Sequence, residues 1–142
     1  MIAELQCVVL DCPDPVRLAE FYRSVLGGRV NEPDRRWSLD ENWATLHTDA
    51  GLVLAFQRVA DHRPPQWPDP ARPQQFHLDF GVPDLDAAQT EVVAAGATVL
   101  DDGSTSGTGA ADAERAERAE RPWRIYADPA GHPFCLVLHR VA

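Results

Sequence analysis

Short apolar segments and one longer amphipathic segment alternate along the first part of the chain. Residues 5–11, LQCVVLD, predict a strand. Residues 14–28, DPVRLAEFYRSVLGG, predict a helix in which Asp14 is the N-cap, Pro15 opens the first turn and a glycine pair ends it. Three further strands are predicted around 29–31, 43–48 and 52–59. The predicted order is therefore β-α-β-β-β.

The same order returns after a linker at residues 61–74, where the density of proline excludes regular secondary structure. Residues 75–82 predict a strand, and residues 83–96 predict a helix that Asp84 caps and Gly96 ends. The remaining predicted strands cover 97–101, 123–128 and 132–139.

Matching spacings in the two halves indicate an internal duplication. His77 precedes the second helix cap by seven residues, as Cys7 precedes the first. WATLHTDAGLVLA and WRIYADPAGHPFC both carry a glycine eight residues after their tryptophan, and they end four residues later, at Ala55 and Cys135. We therefore predict one domain over 1–142, with module one at 1–60 and module two at 75–142.

One segment has no counterpart in the first half. Residues 101–121, DDGSTSGTGAADAERAERAER, have no apolar face. Such a composition is typical of a low-complexity insertion. The alternative is a lid over a binding pocket.

Each βαβββ module has a sheet with one face covered by its helix, so two modules would place their bare faces around a shared cleft. Strand alternation puts His77, Asp79 and Gly81 on that face of module two, and it puts Cys135, Val137 and His139 of the last strand beside them. The repeat then predicts the matching cleft residues of module one, which are Leu5, Cys7, Val9, Val53, Ala55 and Gln57.

Three segments resemble the vicinal oxygen chelate superfamily, which includes glyoxalase I, extradiol dioxygenases and the bleomycin- and fosfomycin-resistance proteins. They read DPVRLAEFYRSVLGG, HLDFGVPDLDAAQTEVVAAGA and YADPAGHPFCLVL. More narrowly, LDCPDPVRLAEFY, PPQWPDP and DPAGHPFCLV are similar to a glyoxalase-like subgroup. The resemblance covers nearly the whole chain apart from 101–121. It implies an α+β fold of two tandem βαβββ modules forming a glyoxalase/bleomycin-resistance/dioxygenase-type cleft.

The resemblance also implies where a divalent metal would sit. The corresponding ligand positions are Cys7, Ala55, His77 and Cys135, and only His77 keeps a ligand type usual for the family. Ala55 has no donor atom. We therefore predict no metal and no other cofactor, and both cysteines are then small buried hydrophobes. A zinc site made of Cys7, His77 and Cys135 is the alternative, since two thiolates and an imidazole are legitimate zinc ligands.

The best catalytic candidates are His77 and Asp79, because a carboxylate beside an imidazole raises its basicity and suits it to general base catalysis. His77 as a simple hydrogen-bonding group is the alternative. Trp67 in the proline-rich linker and Trp37 in the irregular stretch DRRWSLDENW are candidate ligand contacts, since connectors often carry function. His132, in the turn signal DPAG-H, is interpreted as structural or solvent-facing.

Composition narrows the classes of partner. The formal net charge of −9 disfavours a nucleic-acid partner. No apolar run is long enough to span a membrane, no signal peptide is recognised at the N-terminus, and three cysteines are an odd count for a disulfide framework. We therefore expect a cytoplasmic protein, and the resemblance adds the expectation of a homodimer.

Three functions remain open at this stage. The first is a glyoxalase-like protein that binds a small, largely apolar or aromatic molecule without a metal, either as a lyase or isomerase or as a drug-sequestering resistance protein. The second is a metal-dependent lyase, isomerase or dioxygenase with a non-standard cysteine/histidine site, against which Ala55 counts. The third is a domain that associates with another protein.

Overall fold

The structure is a computed structural model that describes residues 2–32, 40–103 and 121–139. The chain divides into two compact units, Met1–Arg63 and Pro64–Ala142, and the division falls inside the proline-rich linker. Most of the predicted insertion, from 104 to 120, lies outside the described residues.

The first unit has one helix and a four-stranded sheet. Its elements are β1 (Val8–Cys12), α1 (Pro15–Leu26), β2 (Arg29–Val30), β3 (Trp43–His47) and β4 (Val53–Arg58). The strands are ordered β1-β4-β3-β2 in the sheet. β1 runs parallel to β4, and the other neighbours are antiparallel.

The second unit repeats this arrangement. Its elements are β5 (Leu78–Val82), α2 (Leu85–Ala95), β6 (Thr98–Asp101), β7 (Trp123–Ala127) and β8 (Pro133–Leu138). The sheet order is β5-β8-β7-β6, again with the outer pair β5 and β8 parallel. The prediction of an α+β fold with two tandem βαβββ modules is confirmed.

Two strands begin later than predicted. β1 begins at Val8, and Leu5, which the sequence placed in that strand, is exposed. β5 begins at Leu78, and Phe76 is 56% exposed ahead of it. From the sequence, Phe76 shares a strand face with Leu78 and Phe80 and is expected to pack under the helix. This expectation is wrong, because it extends the strand alternation past the point where the strand starts.

Both helices begin where their capping chemistry predicts. One side-chain oxygen of Asp14 accepts a hydrogen bond from the amide of Arg17, at 3.1 Å. Asp84 accepts from two amides of the first turn of α2, at 2.8 and 2.9 Å. Gly96 ends α2 with a left-handed φ of 116°, where an L side chain would be strained. In the described ranges, neither helix is long and apolar enough to cross a membrane.

Each helix covers one face of its own sheet. Tyr22 of α1 stacks on Phe56 of β4 with ring centroids 5.7 Å apart. In the second unit, the hydroxyl of Tyr126 on β7 donates to Oε1 of Gln89 on α2, at 2.8 Å. The guanidinium of Arg124, also on β7, donates to the same oxygen at 3.1 Å. We call the sheet face opposite each helix the open face of that unit.

Equivalent turns join the last two strands of each unit, and they are held by different side chains. In the first unit, the hydroxyl of Thr48 donates to the carbonyl of Leu52 and accepts from its amide. In the second unit, the buried carboxylate of Asp128 accepts from the amides of Ala130 and His132 and lies 2.8 Å from Nδ1 of His132. His132 is thus part of the turn, in agreement with its structural interpretation.

The ends of the insertion are joined by an ion pair. Nη2 of Arg121 donates to Oδ1 of Asp101, the last residue of β6, at 2.7 Å. The guanidinium of Arg121 also lies 5.8 Å from the ring centroid of Trp123, the first residue of β7. This contact anchors the chain where it re-enters the sheet.

Candidate functional site

Polar chemistry is concentrated on the open face of the second unit, at the pairing of β5 with β8. In the sheet register, Asp79 pairs with Cys135, and Cys135 pairs with Ile125 of β7. Since directly paired residues point to the same side of a sheet, these three side chains form one row across the open face. His77 directly precedes β5 and lies on the same side.

Three atoms that could ligate a metal ion lie close together on this row. Nε2 of His77 lies 3.4 Å from Oδ1 of Asp79, and the ligand atoms of His77, Asp79 and Cys135 all lie within 4.8 Å of one another. The side chains of His77 and Asp79 are 41% and 60% exposed, so both are accessible to a dissolved molecule. The sequence therefore identified three side chains that the structure brings together.

The thiol of Cys135 is held protonated at neutral pH. Burial, followed by the charge of Asp79 and the hydrogen bond that its carboxylate accepts from the thiol, raises the pKa of Cys135 from 9.0 to about 11. Cys135 is therefore a hydrogen-bond donor to Asp79 rather than a thiolate nucleophile.

The next row of the open face is apolar and aromatic. Gly81 pairs with Val137, and Val137 pairs with Trp123. Trp123 is 40% exposed, and Ile125 and Val137 are half-buried. From the sequence, the equivalence of Trp43 and Trp123 in the repeat favours a packing role in the sheet for both. In the structure, Arg124 and Tyr126 are the residues of β7 that contact α2, and Trp123 lies on the opposite face. Trp123 therefore adds an aromatic surface that sequence reasoning missed.

The equivalent row in the first unit has little polar chemistry. Val9 pairs with Ala55, and Ala55 pairs with Thr45. Ala55 and Thr45 are fully buried, whereas Val9 is 39% exposed. The hydroxyl oxygen of Thr45 is buried without a hydrogen-bond partner in the described structure. A ligand-binding role for Val9 and Ala55 stays a prediction.

The other predicted ligand contacts are scattered along the chain. Cys7 is half-buried ahead of β1, and burial raises the pKa of its thiol. Gln57 is exposed on β4, and Trp67 is half-buried in the linker. Trp37 lies outside the described residues. For all four, ligand binding stays a prediction.

This duplicated α+β architecture, with one polar open face, is that of a glyoxalase-like protein. Residues 7–137 match the family model described as "Glyoxalase-like domain", and the chain belongs to that family. The superfamily resemblance noted from the sequence is thereby confirmed at the level of family and fold. A comparison with curated proteins gave no match.

Solved structures show the same fold at low sequence identity. A glyoxalase/bleomycin resistance protein/dioxygenase family enzyme from Burkholderia phytofirmans PsJN is 18% identical, with 96% of this chain and 98% of that chain covered and a TM-score of 0.62. The fosfomycin resistance protein FosX from Listeria monocytogenes is 15% identical, with 99% and 97% covered and a TM-score of 0.62. A hypothetical protein from S. aureus is 15% identical, with 98% and 100% covered and a TM-score of 0.62.

The donor set does not fit the metal that FosX has been crystallised with, which is Mn(II). Manganese prefers oxygen ligands such as carboxylate, carbonyl and water, whereas Cys135 offers a sulfur atom. The repeat-equivalent position, Ala55, offers no donor atom. The sulfur atom and the missing donor atom at position 55 therefore do not match the ligand set that manganese prefers, and the absence of a metal stays a prediction.

Proposed function

We propose that the protein binds a small, largely apolar or aromatic molecule on the open face of the second unit, without a metal. The observation that carries this proposal is the juxtaposition of the His77–Asp79–Cys135 cluster with the half-buried Ile125 and Val137. Small-molecule sites typically combine an apolar surface with a few placed polar groups.

The apolar part of the ligand would lie on the Trp123 side of this face. An exposed indole offers a large rigid surface on which an aromatic ring stacks favourably. Val137, which pairs with Trp123, extends that surface toward β5. An aromatic molecule lying there presents its polar substituent to the edge of the sheet that carries the imidazole and the carboxylate.

In this proposal, His77 contacts the polar group of the ligand and Asp79 orients the imidazole. A neutral imidazole has one nitrogen that accepts and one that donates a hydrogen bond, and a neighbouring carboxylate fixes which is which. With Oδ1 of Asp79 at 3.4 Å from Nε2, His77 is also positioned to take a proton from a bound molecule. Such a transfer would make the protein a lyase or an isomerase rather than a sequestering protein.

Phenol tests the proposal, because it combines an aromatic ring with one hydroxyl. We expect amide shift changes in β5, β7 and β8 during a titration followed by NMR. His77→Ala should weaken the affinity roughly three- to tenfold through the loss of one hydrogen bond. Glu91→Gln, on the exposed surface of α2, is the surface control and should bind phenol as the unchanged protein does. Equal affinity of the His77→Ala variant would contradict the proposal.

A zinc enzyme is the second candidate, and one observation favours it. His77, Asp79 and Cys135 supply one nitrogen, one oxygen and one sulfur donor within 4.8 Å of one another. Zinc accepts all three ligand types. Elemental analysis of protein purified without chelators or affinity metal separates the candidates. Near-stoichiometric zinc that is lost in Cys135→Ser would favour the enzyme, and no zinc uptake on titration would remove it.

A further inference from the structure

A second imidazole lies on the same open face. Alternation along the predicted strand at 132–139 places His139 on the side of Cys135 and Val137, and the structure shows where its ring lies. The amide of His139, directly after β8, donates to the carbonyl of Val82 at 2.8 Å and ties the chain to the end of β5. Its ring then lies over Gly81. A Cβ atom built on Gly81 would overlap with the ring, with Nε2 as the nearest atom.

Gly81 has no other structural reason to be glycine. Every other glycine in the described part of the chain has a φ in the left-handed region, and Gly81 does not. It lies inside β5, where glycine weakens a strand and often marks a close approach by another group. In the first unit, the repeat-equivalent residue is Asp11, which has a side chain. The missing side chain of Gly81 therefore makes the space in which the His139 ring lies.

The two imidazoles are placed along one edge of the same surface. Gly81 lies two residues after Asp79 on β5, which corresponds to about 6.6 Å along the strand. The His139 ring thus lies one row further along than the His77–Asp79 pair and beside Val137, which pairs with Gly81. His139 is exposed as a residue, so a dissolved ligand can reach it.

We propose that His139 is a second ligand-binding residue, and that the open face takes aromatic molecules with an oxygen substituent at each end. This inference rests on the proposed function, in which His77 contacts one polar group of the ligand. His139 contacts the other, across an aromatic ring that lies on Val137. Gly81 is the specificity-determining position, because any side chain there displaces the second imidazole.

Hydroquinone and catechol form a matched pair of probes. Both are benzene rings with two hydroxyls, at opposite ends of the ring in hydroquinone and adjacent in catechol. Only hydroquinone can reach two groups separated by a full row of the sheet. With amide shifts followed under reducing, oxygen-free conditions, we expect hydroquinone to bind roughly three- to tenfold more tightly than catechol, the worth of one additional hydrogen bond.

Two variants remove the second imidazole in different ways. His139→Ala deletes the ring and its hydrogen-bonding groups, and Gly81→Ala keeps the ring but occupies the space in which it lies. Each variant should bring the ratio of the two affinities close to one. The double variant should match the single ones, since both changes remove the same contact. Glu91→Gln should leave the ratio as it is in the unchanged protein.

The outcomes separate this inference from the proposed function. If both probes bind the unchanged protein with equal affinity, or if the preference for hydroquinone survives in both variants, the role of His139 is wrong and the proposed function stands. If neither probe nor phenol binds at all, the proposed function fails and this inference fails with it. If Gly81→Ala does not fold, His139→Ala alone decides between the two results.

Discussion

The thiol of Cys135 offers the sharpest test of the electrostatics on the open face. Its pKa is raised from 9.0 to about 11. Burial is the largest cause, and the charge of Asp79 and the hydrogen bond to its carboxylate are the other two causes. Only the thiolate reacts with iodoacetamide. At pH 8, a thiol with a pKa of 9.0 is about one-tenth ionised, whereas a pKa of about 11 leaves about one-thousandth ionised. Cys135 should therefore be alkylated roughly a hundredfold more slowly than an ordinary thiol.

Asp79→Asn is the informative perturbation. It removes the negative charge and the carboxylate acceptor but leaves the burial of Cys135 in place. The pH at which alkylation reaches half its maximal rate should therefore fall, while remaining above 9.0. Mass spectrometry of the alkylated peptides follows each cysteine separately. Cys7, whose pKa is raised by burial alone, is the internal control. An unchanged midpoint for Cys135 in the Asp79→Asn variant would refute the assigned role of the carboxylate.

The same pKa shift predicts how stability depends on pH. The folded protein retains the Cys135 proton more strongly than the unfolded chain, so this contribution to the free energy of unfolding is fully present below pH 9. It is lost as the pH rises through about 11, the pKa of the folded protein. The contribution is about 1–2 kcal/mol once screening at this half-exposed position is considered. Denaturant unfolding of the unchanged protein and of Cys135→Ala, compared between pH 8 and pH 10.5, measures it.

Four further substitutions concern the scaffold, and denaturant unfolding measures the change in the free energy of unfolding for each of them. Gly28→Ala should cost about 3 kcal/mol or more, because a Cβ atom there would overlap with the carbonyl of His47 at a φ of 99°. Gly51→Ala, with a φ of 84° and open space around it, should lower the free energy of unfolding by only about 1 kcal/mol. An equal loss in the Gly28→Ala and Gly51→Ala variants would contradict the overlap predicted at Gly28. Asp128→Ala should cost about 2–4 kcal/mol, because it removes the acceptor of three hydrogen bonds inside the turn; a cost below about 1 kcal/mol would contradict this. Asp84→Ala removes the N-cap of α2 and should cost about 1 kcal/mol, and no loss would show that the cap is replaced by water.

Local chemistry made much of the fold predictable. Asp14 and Asp84 were recognisable as helix caps because capping depends on residues within one turn of the helix. The repeat and the alternation of side chains then placed Asp79 and Cys135 on one face, and their pairing confirms it. The first residues of β1 and β5 were mispredicted, because apolar residues such as Phe76 continue the alternating pattern ahead of the hydrogen-bonded strand.

The face on which the second imidazole lies was predictable, but its contact was not. Strand alternation places His139 beside Cys135 and Val137, whereas the approach of its ring to Gly81 depends on a residue far away in the chain and on the absence of a side chain there. Trp123 was similarly ambiguous, because its repeat partner Trp43 suggested a packing role for both. Which face of a strand meets a helix is decided by the whole sheet. The ligand, the cytoplasmic location and the homodimer stay predictions.

The two units share the same order and pairing of strands but differ in the side chains on their open faces. Each unit therefore serves as an internal control for experiments on the other. Val9, Ala55 and Thr45 occupy the register that Asp79, Cys135 and Ile125 occupy in the other copy. Duplication thus separates stability from ligand binding, which a single copy must combine. One copy can keep its apolar row while the side chains of the other row change. Selection on ligand preference should then concentrate substitutions in the second copy. A library randomised at Asp79, Cys135 and Ile125 can be compared with one randomised at the equivalent positions of the first copy, in the same chain.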